Sequence, residues 1–94
     1  MKYDPYRIIQ RPVISEKATL LSERQNKYVF EVASGANKIQ IKKAVEDVFK
    51  VNVTDVRTMR MPGKKRRIRL HVGYTPDWKK AIVTLKQGDK IELF

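Results

Sequence analysis

The chain has 94 residues, with 21 Lys and Arg against 10 Asp and Glu, so its net charge is +11. This length predicts one domain over residues 1–94, and a field of this sign favours polyanionic partners, either nucleic acid or an anionic membrane surface. The lack of cysteine excludes disulfides and thiolate metal sites, and we expect neither a metal nor a cofactor. Because the sequence shows no readable signal peptide and no apolar run near the roughly 20 residues of a membrane span, we expect a cytoplasmic protein without membrane insertion.

The N-terminal residues 1–14 predict an extended arm. Pro5 and Pro12 disfavour a helix there, because proline fixes its own backbone and restricts the residue before it. A short strand is predicted at residues 6–9.

Two helices with a strand between them follow. Ser15 is a suitable N-cap for a helix over residues 16–24, and residues 27–33 alternate between apolar and mixed positions, which predicts a strand. Asn37 is a suitable N-cap for a second helix over residues 38–50. This helix has one apolar stripe at helical spacing, which consists of Ile41, Ala44, Val45, Val48 and Phe49.

The second half of the chain predicts two further strands, over residues 51–61 and 78–86. Both phases of the first contain apolar residues, which indicates a β-bulge or a strand buried on two sides. The order of elements predicts an α+β fold with a split β-α-β unit, in which 27–33 and 53–61 run parallel and 78–86 lies antiparallel between them. Helices on both faces of this antiparallel sheet would make a three-layer α/β/α sandwich.

A basic hairpin is predicted between the last two strands. Residues 56–76 contain no acidic side chain, and they hold seven cations: Arg57, Arg60, Lys64, Lys65, Arg66, Arg67 and Arg69. Alternation continues beyond Pro62 and Gly63, so we expect a long hairpin that protrudes from the core. Such an arm can neutralise phosphates and release their counterions, although a short basic run is often only a solvated surface loop.

Aromatic and basic residues near the base of this hairpin are further candidates for RNA contact. Tyr74 and Trp78 could stack on unpaired bases, but packing in the hairpin or core is the more common role of such side chains. Lys79 and Lys80 could equally be ordinary exposed strand residues.

An enzyme has little support in the sequence. The single histidine, His71, lies within the basic arm, where contact with RNA or solvent is the simpler role. The sequence contains no readable pair of catalytic carboxylates, no phosphate loop and no cluster of metal ligands.

The chain resembles the bacterial large-subunit ribosomal protein family numbered twenty-three. The resemblance covers residues 6–93 and depends on the order and spacing of several short motifs. These are residues 11–18, Asn37, Lys38, Ile41, Lys42, residues 44–46, Phe49, residues 51–53, residues 63–65, Gly73 and residues 77–85.

The resemblance implies a three-layer α/β/α sandwich that binds large-subunit (23S) rRNA at the rim of the peptide exit tunnel, with the hairpin directed toward the tunnel wall. It also implies neighbouring large-subunit proteins as partners, and a docking face for trigger factor and the signal recognition particle. Glu16 would be the trigger-factor contact. No homo-oligomer is expected.

The family and the basic hairpin together imply a set of rRNA-binding residues: Lys17, Lys38, Lys42, Lys43, Arg57, Arg60, Lys64, Lys65, Arg66, Arg67, Arg69, His71, Tyr74, Trp78, Lys79 and Lys80. Many family members have a further glycine within the basic loop, where this chain has Arg67, Ile68, Arg69 and Leu70. The resemblance therefore does not fix the path of the basic loop.

Two other functions are compatible with parts of the sequence. A free-standing nucleic-acid-binding module would use Tyr74 and Trp78 on single strands, but the strands lack the aromatic motif typical of such modules. An acylphosphatase-like enzyme is compatible with a split β-α-β fold, but it has no support from the residues.

Overall fold

A computed structural model of the chain describes residues 4–63, 65–68, 71–74 and 77–92, the side chains of 65–68 and 71–74 excepted. Its helices are α1 (Pro5–Ile8), α2 (Glu16–Gln25) and α3 (Lys38–Phe49). Its strands are β1 (Ile9–Pro12), β2 (Lys27–Val32), β3 (Val53–Met61), β4 (Lys65–Ile68), β5 (His71–Tyr74) and β6 (Trp78–Leu85). Among these elements, no helix has the length and apolar character needed to cross a membrane.

Four strands form one sheet in the order β1-β2-β6-β3, and every neighbouring pair is antiparallel. Strands β2 and β3 are therefore parallel to each other and separated by β6, which confirms the split β-α-β arrangement and the α+β class. The three-layer arrangement stays a prediction. Strands β4 and β5 pair with each other in a second, two-stranded sheet.

The prediction of an extended N-terminal arm was wrong over Pro5–Ile8, which forms the short helix α1. Pro5 lies at the first helical position, where its missing N–H removes no helical hydrogen bond. The carboxylate of Asp4 caps this turn by accepting from the backbone N–H of Tyr6 at 3.0 Å. The strand follows at Ile9–Pro12, later in the chain than predicted.

Both predicted N-caps are confirmed. The Ser15 hydroxyl accepts from a backbone N–H at 3.1 Å, and Asn37 and Gln40 form a reciprocal capping box at 2.8 and 3.0 Å. Helix α2 ends at Asn26, which adopts the left-handed conformation with φ of 54°. Its side-chain amide donates to two backbone carbonyls at the end of β6, so the end of α2 is tied to the sheet.

The core lies between α3 and one face of the sheet. Phe30 is fully buried, and its ring lies 5.5 Å from that of Phe49 at an interplanar angle of 31°, a favourable tilted geometry. The core cluster consists of Tyr28, Phe30, Val32, Ala36, Ile41, Val45, Val51, Val53, Val56, Ala81, Val83, Leu85 and Ile91. The alternating residues of β2 and β6 and the apolar stripe of α3 therefore meet in one layer.

A β-bulge in β3 confirms the expected irregularity of that strand. The register shifts between Val53 and Asp55, so Val53 and Val56 are both buried although they are three positions apart, a spacing that places two residues on opposite faces of a regular strand. The backbone N–H of Val53 donates to the carboxylate of Glu46 at 3.1 Å, so α3 satisfies a donor at the bulge.

Two isoleucines on α3 test this account of the core. Ile41 is 0% exposed and Ile39 is 79% exposed. We expect Ile41→Ala to lower the free energy of unfolding by about 2–5 kcal/mol, because it removes buried methyl groups and leaves a cavity. Ile39→Ala on the same helix should change it by less than about 0.5 kcal/mol. Urea denaturation followed by circular dichroism measures both; equal losses would contradict the packing described.

Candidate nucleic-acid interface

The described pairs of the basic hairpin have the same register as those of β3 with β6. Between β3 and β6, the pairs run in constant register from Asp55 with Thr84 to Met61 with Trp78. The pairs of β4 with β5, from Lys65 with Tyr74 to Ile68 with His71, have the same register. The pairing of β4 with β5 agrees with the expected hairpin, and its protrusion from the core stays a prediction. The molecule measures 50 × 36 × 22 Å, and its radius of gyration of 14.7 Å exceeds the roughly 12 Å typical of a compact chain of this length.

A side chain replaces a strand hydrogen bond where the two sheets meet. Pro62 has no N–H to donate there, and the N–H of Gly63 donates to the Asp77 carboxylate at 2.7 Å. Asp77 is the acidic residue that follows the acid-free segment. It therefore anchors the base of the hairpin to the sheet.

The register divides the β3–β6 pair between two faces. Val56 with Val83 and Thr58 with Ala81 face the core. The opposite phase carries eight exposed or half-exposed residues. Asp55 and Thr84 lie at its end next to the bulge, and we call the other six the open face: Arg57, Met59, Met61, Trp78, Lys80 and Ile82. On the same phase of the neighbouring strand β2, Val29 is buried, and α2 packs against that strand.

The two lysines that were predicted together on β6 lie on opposite faces. Lys79 is in the phase of the core, and its ammonium group donates to the backbone carbonyl of Ala36. This bond gives Lys79 a role in holding the start of α3 against the sheet. Lys80 pairs with Met59 and belongs to the open face. Arg60, which pairs with Lys79, is exposed on the core phase.

The candidates on α3 lie on the opposite side of the sheet from the open face. Lys38, Lys42 and Lys43 are exposed on α3, which packs on the core side of the sheet, and Lys17 is exposed in the first turn of α2. Glu16 is also exposed in that turn. The predicted residues therefore form several basic surfaces and not one patch.

The hairpin candidates are placed by strand pairing alone. Lys65 pairs with Tyr74, Arg66 with Gly73, Arg67 with Val72, and Ile68 with His71. Lys64 and Arg69 lie outside the described residues. Within the described ranges, no group of three or more acidic or histidine side chains could hold a metal ion.

The sequence prediction missed three apolar members of the open face, Met59, Met61 and Ile82. The alternation of β6 marks Ile82 as belonging with Lys80 and not with the core. In a regular strand Met59 and Met61 would share the face of Val53, and the bulge places them on the other face. The signal for this shift was the presence of apolar residues in both phases.

Comparison with known proteins identifies the family. A family model described as Ribosomal protein L23 matches residues 7–93. A large ribosomal subunit protein uL23 from Roseiflexus sp. (strain RS-1) is 57% identical over 91 residues, which cover 97% of this chain and 96% of that protein. A protein of the same name from Desulfitobacterium hafniense (strain DSM 10664 / DCB-2) is 61% identical over 87 residues, covering 93% and 90%. The matched family is one of ribosomal proteins that are not known as enzymes, in agreement with the sequence prediction. The chain belongs to the ribosomal protein L23 family.

Proposed function

We propose that the chain is a structural constituent of the large ribosomal subunit that binds 23S rRNA near the peptide exit tunnel. The observation that carries this proposal is the full-length match to proteins named for that subunit, combined with a long hairpin free of acidic residues. Large subunits are cytoplasmic in bacteria, which agrees with the expected location. Neighbouring large-subunit proteins are the further partners.

The charge distribution supports RNA as the principal ligand. Positive charge occurs on the hairpin, on α3 and on the open face, so RNA strands could contact the protein on more than one side. Each phosphate neutralised releases condensed counterions, and this release makes binding favourable and strongly dependent on salt. Arginine adds a forked set of donors that matches the oxygens of a phosphate.

The exit-tunnel position also provides a docking site for trigger factor and the signal recognition particle, and we place trigger-factor docking at Glu16. Its carboxylate is exposed at the start of α2 and can accept from a cationic side chain of a partner. In the free protein it also faces the positive end of the helix dipole, a stabilising arrangement. The two roles are compatible because the group stays accessible.

Sedimentation tests the assignment to the subunit. In a sucrose gradient of a native lysate, we expect the chain to migrate with large subunits at low salt and to remain there at high salt. An integral subunit protein makes many simultaneous RNA contacts, so salt that removes loosely bound factors should leave it in place. Migration at the top of the gradient at moderate salt would instead indicate an independent RNA-binding factor.

Charge removal in the hairpin tests its role in rRNA binding. We expect replacement of Lys64, Lys65, Arg66 and Arg67 by Gln to weaken binding to a large-subunit rRNA fragment and to reduce the slope of log K against log salt by up to about 3, at about 0.7 per single-strand phosphate. Filter binding over a range of salt concentrations measures this slope.

A matched control removes the same charge elsewhere. Arg24, Lys50, Lys86 and Lys90 are exposed and lie outside the predicted RNA set, and their replacement by Gln should preserve most of the slope. Equal slopes for the two quadruple variants would show that the hairpin supplies only nonspecific charge.

A single carboxylate tests the docking face. We expect Glu16→Gln to leave subunit assembly intact and to weaken trigger-factor binding to purified ribosomes up to about fivefold, the equivalent of one exposed ion pair. Glu23→Gln, on the same helix and also exposed, should leave the affinity unchanged. A defect in assembly after Glu16→Gln would show that this carboxylate faces rRNA or a neighbouring subunit protein.

A further inference from the structure

We propose that the open face is a platform for unpaired RNA bases, with Trp78 as its stacking residue and Arg57 and Lys80 as its phosphate contacts. This inference rests on the proposed function and assigns one specific surface to it. A helical face such as that of α3 offers lysines along one side, whereas the open face offers cations and flat or flexible apolar side chains side by side.

The pairing of β3 with β6 produces this arrangement. Along the open face, Arg57 pairs with Ile82, Lys80 pairs with Met59, and Trp78 pairs with Met61. Two neighbouring pairs therefore each combine a cation with an apolar side chain, and the third pair, at the hairpin end, is apolar on both strands. Single-stranded RNA presents the matching pattern, because each nucleotide combines a charged phosphate with a base that has two apolar faces.

The apolar members of the open face are accessible to a ligand. Met59 is 38% exposed, while Met61, Trp78 and Ile82 are half-exposed, so the face is neither fully buried nor polar. Trp78 also lines a shallow cleft with Pro12 and Ile14, and the Ile14 side chain is itself exposed. A base that stacks on the indole would gain additional apolar contact from this cleft.

The acidic residues near the open face are already engaged with arginines. Glu31, which pairs with Lys80 across the strands, forms an ion pair with Arg11. Asp55 lies at the far end, where its carboxylate is 3.9 Å from the Arg57 guanidinium and both groups are largely exposed. An exposed pair at this distance contributes little, so Arg57 can exchange it for a phosphate.

The charge of the open face and of the hairpin strands that share its register favours RNA over a protein partner. The open face has two cations, and the acids on the same phase, Asp55 and Glu31, each lie beside an arginine. The described pairs of the hairpin keep the same register, and residues 56–76 contain no acid. In that register, the pairs Lys65 with Tyr74 and Arg67 with Val72 have the phase of the open face. A strand of RNA bound to the hairpin can therefore continue onto the sheet, whereas a protein partner would need an acidic surface with the same long, narrow shape.

The chain contains one tryptophan, so Trp78 fluorescence reports directly on this face. We expect an oligouridylate of about 12 nucleotides, within the site sizes of single-strand platforms, to quench the indole emission saturably at low salt. A fully paired RNA duplex of the same length should bind with little quenching, because its bases are already stacked. Fluorescence anisotropy of end-labelled RNA measures binding independently of the tryptophan.

Matched variants locate the phosphate contacts. We expect R57Q/K80Q to raise the oligouridylate concentration at half-quenching about tenfold, since two exposed charge contacts are lost. K86Q/K90Q removes the same charge from exposed positions outside the RNA set and should raise it less than about twofold. Circular dichroism of each variant confirms that the sheet is intact.

The outcomes separate this inference from the function on which it rests. RNA binding seen by anisotropy, with unchanged Trp78 emission, would overturn the platform and leave rRNA binding by other surfaces in place. Emission that responds to purified neighbouring large-subunit proteins and not to RNA would overturn it in favour of a protein contact. Absence of any binding to oligouridylate, duplex or large-subunit rRNA would instead contradict the proposed function itself.

Discussion

Strand β6 is hydrogen-bonded on both sides, to β2 along one edge and to β3 along the other. Its register is constant along β2, and along β3 it is constant from Asp55 to Met61. This double pairing decides which side chains face the core. A slip of one residue would exchange Ala81, Val83 and Leu85 with the half-polar set that contains Lys80 and Ile82, and would bury a lysine in place of a valine. The core on one face of the sheet and the charged surface on the other are consequences of the same register.

The bulge in β3 allows that strand to contribute both to the core and to the open face. Val53 is needed by the core near the end of α3, and Val56 is needed by the core opposite Val83. An uninterrupted strand would place these two valines on opposite faces. The extra residue at the bulge restores both to the core and leaves Arg57, Met59 and Met61 on the open face. The Glu46 carboxylate satisfies a backbone donor at this site, which limits the free-energy cost of the irregularity.

Most of the fold follows from local patterns in the sequence. The stripe of α3, its Asn37 cap and the alternation of β2 and β6 predict elements that agree with the structure to within about one residue at most ends, and the split pairing follows from their order. The N-terminal helix was missed because Pro5 was interpreted as a helix breaker, whereas proline is well suited to a first helical turn after Asp4. That distinction depends on position, and composition alone does not supply it.

The candidate site was less accessible to sequence reasoning, for a physical reason. Positive charge identifies a ligand class, but long-range pairing decides which cations share a face, and neighbours such as Lys79 and Lys80 separate as soon as they lie on a strand.

Pairing also explains how the basic hairpin can exist in a chain of this size. A two-stranded ribbon is at best marginally stable in water. Here β4 and β5 have the same register as the packed β3–β6 pair, and the bond from Gly63 to Asp77 lies next to Pro62, which has no N–H to donate. Packing of the β3–β6 pair in the core therefore offsets much of the free-energy cost of aligning the two strands of the ribbon. Repulsion among the cations of the hairpin is not offset in this way, and a bound polyanion would relieve it.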